Sequence, residues 1–151
     1  IYTNFVISFL KIMSKDFEQI SLKAGFMKHN GGLLFKTISE KEHHFKTIIK
    51  ENHLNAAGIA HGGFIAAVVD AGAGTAAHRA ANNEPCVTIS LELKFISAIK
   101  LDQELIGITK IQKKTKSMVF LTCELKVSDK IVATASGVWK ILKLKGAGPG
   151  G

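Results

Sequence analysis

From Asn52 to Ala77 the chain carries one formally charged side chain, Asp70. Around it run Phe64-Ile65-Ala66-Ala67-Val68-Val69 and Ala71-Gly72-Ala73-Gly74-Thr75-Ala76-Ala77. A helical segment that is apolar on every side belongs in a core, so the rest of the domain must enclose it. The reading places this helix at about Gly62 to Ala80, with Asn82-Asn83-Glu84-Pro85 ending it. Its four glycines lower intrinsic helix propensity, so packing must hold it, and small residues let strands approach closely. An unpaired carboxylate buried in such a helix is costly, so Asp70 must be paired, protonated or used in chemistry.

The flanking patterns say what does the enclosing. Phe17, Ile20, Ala24 and Met27 recur at helical spacing, which predicts a short amphipathic helix from about Lys15 to Lys28. Asn30-Gly31-Gly32 breaks it, and a hairpin follows: Leu33 to Ser39, a turn at Glu40-Lys41-Glu42, then His44 to Ile49. Asn52 to His61 reads as a loop. Beyond the long helix, Val87, Ile89, Leu91, Leu93 and Phe95 alternate with Thr88, Ser90, Glu92 and Lys94, a strand of period two. Three more strands, at about 104–112, 117–127 and 131–142, form a meander, with Ser128-Asp129-Lys130 as the last turn. The predicted class is α+β, an antiparallel sheet wrapped around one long central helix. Such a sheet has edges that need covering, and edge-to-edge dimerisation is one solution.

At 151 residues this is one domain. Its bounds are read as 13–145. Residues 1–12 precede a natural-looking start at Met13-Ser14-Lys15, and 146–151 are a Gly-Ala-Gly-Pro-Gly-Gly tail; both are read as appended extensions. The apolar run Phe5 to Leu10 is too short to span a bilayer and lacks the basic leading region of a signal peptide, so no membrane is expected. Cys86 and Cys123 are too few for a disulfide framework; free thiols point to a reducing, cytoplasmic setting. No Cys/His spacing suits a metal. The net charge is +8, but the lysines are scattered and rarely interleaved with aromatics, which argues against nucleic acid and for a phosphate-bearing small molecule. His43-His44 reads as a strand-end pair.

Asn55 stands six residues before His61-Gly62-Gly63, Asp70 nine after His61, and Thr88 twenty-seven after it. With Gly58-Ile59-Ala60, Val87-Thr88-Ile89-Ser90-Leu91 and Phe95-Ile96-Ser97-Ala98, this pattern resembles the hotdog-fold acyl-CoA thioesterases, specifically the phenylacetic-acid-degradation type. The resemblance extends in element order over nearly all of residues 15–142. It implies a hotdog fold and a homodimer with shared active sites, paired into a homotetramer as a dimer of dimers. Asp70 and Thr88 would come from one subunit, Asn55 and Gly62 from the other. It implies no metal or redox cofactor.

Each residue has a chemical reason to be there. Asp70 can attack the thioester carbonyl or activate water, two roles the sequence leaves open. Gly62, at the helix start, can offer an unsatisfied N–H to an oxyanion, while Gly63 reads as structural. His61 suits positioning more than proton transfer. Asn55 can hold water or the carbonyl, or simply build an Asx turn. The Thr88 hydroxyl can orient water or Asp70. Ser97, Lys100, Lys113 and Lys116 are candidates for the coenzyme A phosphates, and Phe64 and Val68 for lining the acyl pocket. The expected reaction is hydrolysis of an acyl- or aryl-CoA to a carboxylic acid and free coenzyme A. The alternatives are a hotdog dehydratase or hydratase, and a non-catalytic acyl-CoA binding module.

Overall fold

The computed structural model describes residues 17–143. The expected extensions at 1–12 and 146–151, and the start of the first expected helix, lie outside these residues. In chain order the elements are β1 (Glu18–Ile20), α1 (Phe26–His29), β2 (Leu33–Thr37), β3 (Glu42–Ile48), α2 (Gly62–Ala80), β4 (Cys86–Phe95), β5 (Glu104–Lys114), β6 (Met118–Val127) and β7 (Lys130–Ile141). A short 3-10 turn at Glu51–His53 sits in the β3–α2 loop. The seven strands form one antiparallel sheet in the order β1-β2-β3-β5-β6-β7-β4, with α2 packed across it. This is the hotdog arrangement the resemblance implies, and α2 has the bounds read from the sequence.

Three expectations need correction. The amphipathic helix at 15–28 is instead strand β1 followed by the four-residue α1. Gly25, Gly31 and Gly32 all have positive φ, and Gln19 and Ile20 pair with β2, so sheet pairing overrides the weak helical period. Second, α2 is buried on one face only. Phe64, Ile65, Val68, Val69, Gly72, Ala73, Ala76 and Ala77 face the sheet, whereas Ala66, Ala67, Ala71 and Gly74 are half-buried and Asp70 is exposed. An all-apolar helix in a lone chain thus keeps a bare stripe of small residues. Phe64 and Val68, expected to line an acyl pocket, belong to the core.

The third correction concerns β4. Its even alternation predicts Val87 and Ile89 on the inner face, yet both are exposed. Thr88 opposes Trp139, and Ser90 opposes Val138, so Ile89 is an extra residue in the ladder. Such a bulge shifts the side-chain phase of everything on one side of it. Cys86 and Thr88 therefore share the helix-facing side with Leu91 and Leu93, and Thr88 is turned toward α2.

Two glycines clamp the core. Phe45 is fully buried between α2 and β5. A Cβ on Gly72 would come to 2.3 Å from its ring, and one on Gly107 to 2.1 Å. Both faces of the ring are blocked, so it has nowhere to retreat. Gly107→Ala is expected to cost about 3 kcal/mol, the upper end for overpacking, and to lower Tm by roughly 6–12 °C for a chain of this size. Calorimetry checks this. Adding Phe45→Leu should recover part of the loss; strict additivity of the two changes would show that the clash is not the cause.

Candidate active site

The N-terminus of α2 is built by His61. Its backbone is extended (φ −65, ψ 132), and its Nδ1 accepts the Gly63 N–H at 2.8 Å. An accepting Nδ1 holds no proton, so a neutral ring carries its proton on Nε2. This cap removes one of the orphan donors of the first turn. The Gly62 N–H has no partner among the described residues and points out of the helix start, where the dipole favours negative charge.

The preceding loop is pinned from several sides. The His61 N–H donates to His53 O at 2.8 Å, and the Ala60 N–H to Ile99 O at 2.8 Å. His53 is itself anchored: its ring stacks on Phe64 at 3.7 Å, and its Nδ1 accepts the Lys50 N–H at 2.9 Å. Asn55 builds the turn within this loop. Its Oδ1 accepts the Ala57 N–H at 2.9 Å and the Ile59 N–H at 3.3 Å, around Gly58 at φ 76. The Asx turn and any contact with substrate are therefore compatible only through the amide Nδ2, which donates to nothing among the described residues. Asn55 and Gly62 line one hollow of about 320 Å³ together with Ile59, Ile65, Phe95 and Ser97. The Phe95 ring lies over Gly62, 3.6 Å from where a Cβ would stand.

Asp70 lies two turns further along α2. The Thr88 hydroxyl donates to its Oδ1 at 2.6 Å, a charge-assisted contact that the β4 bulge makes possible. This corrects the expectation of a buried carboxylate: Asp70 is paired, and exposed in the single chain. The two residues line a second hollow of about 510 Å³ with Gly74, His78, Cys86 and Trp139. Burial, and then the Glu84 carboxylate, hold the Cys86 thiol above its ordinary pKa, so it stays protonated.

The sequence-predicted residues thus form two groups. Asn55, Gly62 and Ser97 share one hollow, with His61 capping beside it; Asp70 and Thr88 share the other. Lys100 lies by the first group, since its backbone bridges Ile59. Lys113 stands elsewhere, in a basin at the far end of α2 with Arg79, Asn82 and Asn83, and Lys116 is exposed in the β5–β6 turn. Trp139 and His78 went unread in the sequence. Trp139 is the chain's one tryptophan and follows Gly137 by two residues, which was the available signal. Among the described residues no group of three or more His, Cys, Asp or Glu is placed to hold a metal ion, and no helix is long and apolar enough to cross a membrane.

Comparison with known proteins bears on the family and the fold. Residues 57–134 match the family model described as the thioesterase superfamily. A Pseudomonas aeruginosa protein named as a candidate esterase is 34% identical over 94 residues, 62% of this chain and 70% of that protein. Among solved structures, zebra fish thioesterase superfamily member 2 superposes with a TM-score of 0.73 at 18% identity, over 81% of this chain and 90% of the other. A Streptococcus pneumoniae hypothetical thioesterase, solved with coenzyme A, gives 0.67 at 17% identity, over 74% and 89%. A point mutant of the Thermus thermophilus phenylacetic acid degradation protein gives 0.66 at 21% identity, over 76% and 96%. With the family model spanning more than half of the chain, from residue 57 through α2 into β7, this chain belongs to the thioesterase superfamily and is a thioester hydrolase.

Proposed function

We propose that the protein hydrolyses acyl-CoA thioesters at sites shared between two copies of the chain. One observation carries this reading. Gly62 and Asp70 lie on one rigid helix, about 12 Å apart along its axis at 1.5 Å per residue, and line separate hollows. No single chain can bring its own helix start to its own carboxylate. A second copy with α2 running antiparallel sets the Gly62 of one chain against the Asp70 of the other, twice. The bare stripe of Ala66, Ala67, Ala71 and Gly74 lets two such helices approach closely. The edge strand β4 offers Val87, Ile89 and Phe95, exposed at 46, 52 and 57%, as apolar surface for a partner.

In that site the Gly62 N–H polarises the thioester carbonyl, and the helix dipole favours the oxyanion that forms. Asp70, held by Thr88, either attacks the carbonyl carbon or takes a proton from an attacking water. Collapse of the tetrahedral species breaks the C–S bond. The thiolate leaves without a strong acid, because it is a weak enough base to depart unprotonated near neutral pH. The products are a carboxylic acid and coenzyme A. His61 positions the helix start; with Nδ1 tied to the Gly63 N–H, it is a poor proton shuttle, which favours hydrolysis over a dehydratase reading. The pneumococcal relative's coenzyme A supports the same leaving group here. Ser97 lines the Gly62 hollow and Lys100 lies beside it, within reach of the reacting carbonyl, while Lys113 and Lys116 line neither hollow of their own chain. A dimer of dimers, and a cytoplasmic setting suited to the free Cys86 and Cys123, complete the reading.

Subunit mixing tests it. Asp70→Asn and Asn55→Ala chains, each weakened alone, are expected to regain activity when unfolded and refolded together, since each mixed dimer holds one intact site. Mixtures no better than the sum of their parts, or full activity in a monomer by sedimentation, would overturn the shared site. Thiol release from a panel of aryl and fatty acyl-CoAs ranks the substrates.

A further inference from the structure

The helix line that carries Asp70 continues through Gly74 to His78, one turn at a time. All three line the second hollow with Thr88 and Trp139. Trp139 is 1% exposed and stands opposite Thr88 in the β4–β7 ladder. Two glycines make room for its indole. A Cβ on Gly137 would come to 2.6 Å from its Cζ3, and one on Gly74 to 3.3 Å from its Nε1. The N–H edge therefore faces the helix line at Gly74. Among the described residues this N–H donates to no acceptor, and it is not sealed in the core but keeps access to the hollow that Trp139 lines. One turn on, His78 Nδ1 lies 2.7 Å from Glu84 O. A carbonyl only accepts, so Nδ1 holds the proton, and in the neutral ring Nε2 keeps a lone pair. The wall beyond Asp70 thus offers a donor and then an acceptor.

We propose that this wall is the track of the pantetheine arm, which carries two amides between the thioester sulfur and the nucleotide. Trp139 Nε1–H donates to the carbonyl of the nearer amide, and His78 Nε2 accepts the N–H of the farther one. The assignment rests on the reading of Asp70 as the reacting side of a thioesterase site. Spacing supports it. In an extended arm the nearer carbonyl and the farther nitrogen lie about 7 and about 11 Å from the thioester carbon at standard bond lengths. Gly74 and His78 lie about 6 and about 12 Å along the helix from Asp70. Polarity supports it as well. The polar arm takes the wall with Trp139 and His78, leaving the acyl group to the partner copy's apolar hollow, the one walled in each chain by Ile59, Ile65, Phe95 and Ile96.

Truncated substrates test the assignment. An N-acetylcysteamine thioester keeps only the nearer amide, and an ethanethiol ester keeps neither. With one acyl group throughout, His78→Ala is expected to lower the kcat/KM ratio of acyl-CoA to the N-acetylcysteamine ester about five- to tenfold, the size of one lost hydrogen bond. Trp139→Phe should lower the ratio of the N-acetylcysteamine ester to the ethanethiol ester by a similar factor. Equal losses on all three esters, or unchanged ratios, would overturn the track and leave a structural role. Should Trp139→Phe fail to fold by circular dichroism, His78→Ala decides alone. Calorimetry separates this inference from the catalytic reading beneath it. Coenzyme A should bind His78→Ala about five- to tenfold more weakly than wild type, while adenosine 3′,5′-bisphosphate, which lacks the arm, binds both alike. Wild type that releases no thiol from any ester defeats the thioesterase reading, whereas equal coenzyme A binding by both proteins defeats the track.

Discussion

Asp70→Asn is expected to slow thiol release from acyl-CoA at least about a hundredfold, the low end for loss of a positioned base, with the fold intact. The asparagine is nearly isosteric, and its Oδ1 can still accept from Thr88, whose hydroxyl lies 2.6 Å away. Asp70 is exposed in the single chain and packs into no core, so the change removes charge and nucleophilicity and little else. The matched measurement is thiol release by a colorimetric assay alongside circular dichroism and Tm. Wild-type turnover in a folded variant would remove Asp70 from the mechanism. Loss of turnover together with loss of fold would instead mark it as structural.

Gly62→Pro isolates the other half of the site. Proline at the first helical position replaces only an N–H that the helix does not use. The residue before it must be extended, and His61 already is, at ψ 132. The variant should therefore keep its helix and lose kcat by roughly 10²–10³, the cost of one oxyanion donor. Gly62→Ala is the matched comparison. Its Cβ would meet the Phe95 ring at 3.6 Å, an ordinary contact, and its N–H remains, so its loss should be far smaller. Equal activity in the two variants would mean that the Gly62 N–H does not touch the reacting carbonyl.

How much of this was legible in the sequence depends on the range of the forces involved. The ends of α2 were readable because Gly62 and the Asn82–Pro85 segment are local signals, as were the strands whose period is unbroken. The Ser128-Asp129 turn was readable for the same reason, with both residues at positive φ in a two-residue hairpin. Residues 17–29 misled because four apolar side chains at helical spacing count for less than pairing of Glu18, Gln19 and Ile20 with β2. Thr88 could be named from spacing, but its aim could not, since the extra residue at Ile89 leaves no mark on an alternating pattern. Asp70 could be named as well, yet its exposure follows from which face of an all-apolar helix the sheet covers. Trp139 and His78 escaped because their value lies in unused hydrogen-bonding atoms, and only coordinates show which atoms are unused.

The bulge at Ile89 has a bearing on how this protein can change over generations. A replacement at that position alters one outward side chain. Loss of the residue would carry Thr88 to the outer face and bring Val87 inward, separating the hydroxyl from Asp70 without altering either residue. The strand is thus tolerant of spelling and intolerant of length. In its descendants the count of residues between Thr88 and Ser90 should be held more tightly than the identity of the residue that fills the gap.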